Sequence, residues 1–152
     1  MNKIVFIILM LTASYSFADT VYRGMDQKRD LFKSLSQLKE QGYISAKPQV
    51  SRADYNDVYQ IKKPLTFLNQ SVLLVSDEFM SEYIGCCVSE GWGAVFKVER
   101  DYSDLKSFAD DNYCSIEEIS NPNEGDYYGF PYRKLGKGKI VELSCRARDI
   151  QY

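Results

Sequence analysis

Cys86 and Cys87 are adjacent, and Cys114 and Cys145 lie further along the chain. Thiols in this arrangement admit three chemistries: disulfide bonding, vicinal-dithiol reactivity and metal ligation. Metal ligation lacks support, because no C-x-x-C spacing occurs and the chain has no histidine. A Cys86–Cys87 bond would close over Cα atoms about 3.8 Å apart, below the usual disulfide range of about 4.4–6.8 Å. The expectation is therefore two non-vicinal disulfides, with one of the adjacent cysteines going to Cys114 and the other to Cys145. In an extended stretch, Ile84, Cys86 and Val88 form the more apolar side, which favours Cys86–Cys145 and Cys87–Cys114. A thiol-redox protein using Cys86 and Cys87 is an alternative.

The missing histidine removes Ser-His-Asp and Cys-His catalysis and the usual proton shuttle near neutral pH. Ser103 and Lys106 have the Ser-x-x-Lys spacing of some serine hydrolases, one helical turn apart. Ser36 and Lys39 repeat that spacing, and no supporting element accompanies either pair, so an exposed helix face accounts for both. Asp77-Glu78, Asp110-Asp111 and Glu117-Glu118 are sequence neighbours, whereas glycosidase carboxyls face each other across a cleft. Gly136-Lys137-Gly138-Lys139 lacks the phosphate-loop spacing. Asp54, Asn56 and Asp57 lack the glycine and distant glutamate of a calcium loop. Val21-Tyr22-Arg23-Gly24 is similar to the first-strand arginine segment of exported ADP-ribosylating toxins. That similarity covers four residues, no second motif follows, and no family is read from it. No catalytic residue, metal ligand or cofactor is assigned.

The richest binding chemistry is aromatic. The run from Asp126 to Arg133 holds Tyr127, Tyr128, Phe130, Tyr132 and Arg133, and Trp92 sits between Gly91 and Gly93. Tyr, Trp and Arg dominate binding hot spots. Gly129 and Pro131 suggest an irregular, outward-facing loop. The competing reading has the same rings closing the core of a small β-rich domain, and for Trp92 the core reading is preferred. These six residues are the partner-binding candidates.

Several elements must hold these groups in place. Leu31, Phe32, Leu35 and Leu38 share a helical face, so a helix is expected over about 27–41, capped by Asp26 and stopped by Gly42. Leu105, Phe108 and Ala109 predict a second helix over about 103–111, with Asp101 or Ser103 as its cap. Short strands are expected at Val58–Lys62 and Leu65–Leu68, with a turn at Asn69-Gln70. Val72–Val75 has central-strand character. Glu78–Ile84 reads equally as helix or strand. Ala94, Phe96 and Val98 alternate with Val95, Lys97 and Glu99, as in a half-buried strand. Val141, Leu143, Cys145 and Ala147 alternate with Glu142, Ser144, Arg146 and Arg148 after a turn at Gly136–Gly138. Asn121–Asp126 reads as a loop. The expected fold is α+β, with both helices packed on a mainly antiparallel sheet.

Residues 1–18 read as a cleavable signal peptide. Lys3 is cationic, Ile4–Ala13 is apolar apart from Thr12, and Ser16-Phe17-Ala18 forms a small-residue cleavage site. Residues 19–152 then form a single globular domain, exported to the periplasm or secreted. The apolar run falls short of the roughly 20 residues of a membrane span, and no later segment qualifies. The net charge of −2 gives no electrostatic footprint for nucleic acid. The expected function is a non-catalytic binding or inhibitor-type protein whose partner is another protein. An immunity protein blocking an active site is one concrete form. A small exported hydrolase using carboxylates or a Ser/Lys pair is the alternative class.

Overall fold

The computed structural model describes residues 19–20, 30–78, 91–99 and 101–146, with the backbone alone at 19–20 and 30–34. A nine-residue strand, β5 (Gln70–Glu78), runs through the middle of the sheet. Its apolar residues Val72, Leu74 and Val75 are all buried, as the central-strand expectation requires. Before it in the chain come β1 (Asp19–Thr20), β2 (Val50–Ala53), β3 (Asn56–Gln60) and β4 (Leu65–Phe67). After it come β6 (Gly91–Val98), β7 (Ser115–Ile119), the short β8 (Asp126–Tyr127) and β9 (Phe130–Pro131), and β10 (Lys139–Arg146). The main sheet runs β1-β4-β5-β6-β10-β7, and β3 also pairs with β5 and carries β2 outside it. All pairings are antiparallel except β1 with β4. β3 takes the Leu74–Glu78 half of β5 and β4 takes Gln70 and Ser71. The Lys62-Lys63-Pro64 link separates β3 from β4, and proline cannot donate to a ladder.

Tight turns set the registers. Asp54-Tyr55, Leu68-Asn69 and Tyr128-Gly129 each have positive φ at both residues. That pattern marks two-residue hairpins whose twist matches the flanking strands. The turn expected at Asn69-Gln70 is thus one residue earlier, and Gln70 already belongs to β5.

Among the described residues, two helices cover one face of the sheet. α1 (Asp30–Glu40) lies inside the expected range, and its proposed cap Asp26 is outside the described residues. Gly42, at φ 72°, ends α1, with Gly42 N–H donating to the Lys39 carbonyl and Tyr43 N–H to the Leu38 carbonyl. This is a Schellman stop, which glycine adopts without Cβ strain. α2 (Ser103–Asp111) matches the expected bounds. Its N-cap is Tyr102, without a side-chain cap, and not Asp101 or Ser103 as expected; Asp101, one residue before it, accepts from both the backbone N–H and the hydroxyl of Ser103, each at 3.0 Å. Leu35 and Leu38 of α1 and Leu105 and Ala109 of α2 meet Trp92, Phe96, Val141, Leu143 and Cys145 in one core cluster. Phe108 stands edge-on to Phe67 with centroids 5.0 Å apart.

The opposite face is covered as well, and this corrects the half-buried reading of β6 and the solvent-facing reading of the polar side of β10. Val58, Leu74, Val95 and Ile140 form a second buried cluster with Tyr127, Phe130 and Tyr132. Val95 is fully buried and Arg146 is 1% exposed. The segment from β8 through β9 to a 3-10 turn, Tyr132–Leu135, supplies the cover.

The expected disulfide pairing is also corrected. Cys114 is bonded to Cys145. Cys114 follows α2 and precedes β7, which lies beside β10, so the two sulfurs meet at the edge of the helix-covered core. Cys86 and Cys87 lie outside the described residues, as do most of Glu78–Ile84, the Val21–Gly24 segment, Ala147 and Arg148.

Candidate functional site

The densest polar chemistry sits on the second sheet face, around Arg146. Its Nη2 donates to Asn56 Oδ1 at 2.9 Å and to Ser76 Oγ at 2.8 Å. Its Nη1 donates to Ser144 Oγ at 2.5 Å. Its Nε lies 2.8 Å from Glu78 Oε2, a charge contact rather than an aligned hydrogen bond. The guanidinium carbon is 5.0 Å from the Tyr128 ring centroid. Ser76 also exchanges a hydrogen bond of 2.7 Å with the Tyr127 hydroxyl. Asn56, Ser76, Glu78 and Arg146 are all buried, and the cluster joins β3, β5, β10 and the aromatic cover. A buried charge is tolerated when paired and hydrogen-bonded, as this one is.

Glycines make room for it. A Cβ at Gly93 would lie 2.3 Å from the Tyr127 hydroxyl and 2.7 Å from Arg146 Nη1. A Cβ at Gly91 would lie 2.3 Å from the Cys145 carbonyl oxygen. Glycine inside a strand marks close approach of other groups, and Gly91-Trp92-Gly93 is the sequence signal that could have found this cluster. Arg146 itself reads in sequence as one more outward-facing charge on an alternating strand.

The structure divides the six partner-binding candidates. Tyr127, Phe130 and Tyr132 are buried against the sheet, and Trp92 is buried on the helix face, so their core reading accounts for them. Burial holds the Tyr127 hydroxyl up at about 12, with Arg146 and Ser76 opposing. Tyr128 is half-buried at the turn, edge-on to Tyr127 at 4.9 Å, and Arg133 is exposed. The outward-facing loop is therefore a two-residue hairpin pinned from below. Asp126 Oδ1 accepts from Gly129 N–H at 2.6 Å.

A second hairpin abuts this one, which the sequence reading missed. A Cβ at Gly129 would lie 3.8 Å from Ala53 Cβ and 3.4 Å from Val50 Cγ1. Ala53 precedes the Asp54-Tyr55 turn, whose Tyr55 is 41% exposed. Tyr55 and Tyr128 have φ of 61° and 47°. Aromatic residues in left-handed turns are uncommon, since glycine or asparagine fits there with less strain.

The hydrolase candidates are held elsewhere. The Ser103 hydroxyl donates to Asp101, and Lys106 Nζ lies 4.5 Å from the Tyr102 ring centroid. Among the acids, Asp77 and Glu142 stand out. Asp77 is raised to about 6, by burial first and then by the Asp57 carboxylate directly across β3, with Lys39, Arg52 and Arg146 opposing. Glu142 is raised to about 7, by burial and then by Glu117 directly across β7, with Arg146 opposing.

A folded-state acid raised above its unfolded value favours the protonated fold. Its stabilising effect is fully present below the unfolded pKa and is lost as pH rises through the folded pKa, so net stability falls across that window. The unfolding free energy should therefore decline from about pH 4 to about pH 7, by about 1–2 kcal/mol per group after solvent screening, and the denaturant midpoint with it. Asp77→Asn and Glu142→Gln should each flatten part of that decline. A midpoint that rises across this range would refute the assignment.

No family model matches the chain, and no curated protein or solved structure is significantly similar to it. Among the described residues no helix is long and apolar enough to cross a membrane, and no group of three metal-ligating side chains occurs.

Proposed function

We propose that this chain is an exported binding protein of inhibitor type, and that it engages a protein partner through the paired hairpin tips carrying Tyr55 and Tyr128. The observation that carries this reading is that the β2–β3 strand pair packs against the Tyr128-Gly129 turn at Val50 and Ala53, and that each of the two hairpin turns holds a tyrosine at positive φ. Backbone strain of this kind clusters at functional sites. A tyrosine on a fixed turn offers a large contact area with little entropy left to lose, which is what a hot spot requires. The Arg146 cluster and the buried Tyr127, Phe130 and Tyr132 form the rigid base beneath it. The Cys114–Cys145 bond suits an oxidising compartment, in keeping with export.

The test is affinity capture from the exported fraction, followed by binding measurements on the captured partner. Tyr55→Ala should weaken binding by about 2 kcal/mol or more with the melting temperature nearly unchanged, whereas Tyr128→Ala should weaken binding as much and also lower the melting temperature, because its ring rests on Arg146 and Tyr127. Phe130→Ala should instead unfold the chain more readily, because its ring is buried. Wild-type affinity in both tyrosine variants would end this reading.

One observation favours the carboxylate-hydrolase alternative. A carboxyl raised to about 7, as at Glu142 beside Glu117, suits a general acid. That reading requires an activity lost in Glu142→Gln.

A further inference from the structure

The link between β3 and β4 leaves an opening beside the 3-10 turn. It is a cavity of about 340 Å³, lined in part by Lys62, Lys63 and Lys134 over Leu65, Val72 and Leu135. Its size falls in the range of small-molecule sites, roughly 300–1,000 Å³. In a chain of net charge −2, the lining holds three lysines and no Asp or Glu. The Lys63 ammonium is engaged outside the lining, donating to the Gln41 carbonyl at 2.6 Å and lying 5.0 Å from the Tyr43 ring centroid, so the ligand cations are Lys62 and Lys134. Lys134 Nζ lies 5.9 Å from the Phe130 ring centroid. Cations of one sign around a cleft with low-dielectric walls focus the field inside it.

We propose that this cavity binds a small organic anion: a carboxylate that meets Lys62 and Lys134, carried on an apolar body that meets the half-buried Leu135. Inorganic phosphate would satisfy the charge and leave the apolar lining uncovered. A neutral ring would do the reverse. The cavity lies at the Gln60 end of β3, and the Asp54-Tyr55 turn lies at the other end, so the proposal stands apart from partner binding.

The probe is benzoate, titrated into the full exported chain and followed by backbone amide shifts. Benzyl alcohol, inorganic phosphate and a glutamate-rich peptide serve as comparisons. Benzoate should bind saturably, shifting amides near 60–66, 71–73 and 134–135, and at least tenfold more tightly than benzyl alcohol or phosphate. Lys62→Gln combined with Lys134→Gln should weaken benzoate at least tenfold with an unchanged melting temperature. Lys139→Gln, whose ammonium pairs with Glu118, should leave it unaltered. Equal affinity for benzoate and benzyl alcohol would overturn the proposal, as would indifference to the lysine changes. Saturable binding of the acidic peptide without binding of benzoate would assign the cavity to a protein partner instead.

Discussion

Arg146→Ala should destabilise the protein by about 3–5 kcal/mol, the range found when one member of a buried ion pair is removed. The Glu78 carboxylate would stay in the interior with its cation gone, its side chain being 5% exposed. Asn56 Oδ1 and Ser76 Oγ would each lose a donor, and the Tyr128 ring its guanidinium. The loss is dominated by the orphaned groups and not by the net worth of the contacts, which gives the prediction a second part. Replacing both partners with apolar residues, as Arg146→Met with Glu78→Leu, should recover much of the stability. Chemical denaturation of the two variants decides the matter. A loss below about 1 kcal/mol in Arg146→Ala would mean that water reaches the cluster and that the aromatic cover is loosely seated.

Removing the disulfide should cost nearly as much. Cys114 and Cys145 are separated by 31 residues. Closing such a loop is worth about 3–4 kcal/mol in the chain-entropy account. The double variant Cys114→Ala with Cys145→Ala should lose about that amount, and reduction of the native chain should lower its denaturation midpoint similarly. Cys145 is 1% exposed inside the helix-covered core, so the alanine also leaves a small void there. Peptide mapping without reductant should recover the segments around Cys114 and Cys145 joined to each other. A cross-link from Cys86 or Cys87 to either would contradict this connectivity. The same map reports whether Cys86 and Cys87 are thiols or bonded.

Much of the fold was legible in the sequence because it is written in local periodicity. The spacing of Leu105, Phe108 and Ala109 placed α2 at its observed bounds. The apolar run Val72–Val75 marked a strand paired on both sides. Alternation along 139–146 separated two faces correctly, with Val141, Leu143 and Cys145 together on one. β7 escaped notice because Glu117 and Glu118 interrupt its apolar pattern, as charges on an edge strand do. The turn at Leu68-Asn69 was read one residue late because φ, not residue type alone, decides which two residues turn.

What the sequence by itself determined is therefore the two helices, the longer strands, the α+β class, and which side chains share a side of those strands. Whether a side meets water is another matter. That depends on which distant segment lies over it, and no local pattern encodes a contact between Arg146 and Asn56, 90 residues away. The tertiary structure alone turned Arg146 from a surface charge into the centre of a buried cluster. It moved Tyr127, Phe130 and Tyr132 from a free loop into a second core, and joined Cys114 to Cys145 instead of to the adjacent pair. It also brought the β2–β3 hairpin against the Tyr128-Gly129 turn, with Val50 and Ala53 facing Gly129, since segments more than 70 residues apart can share a surface only once β3, β5 and the aromatic cover are stacked.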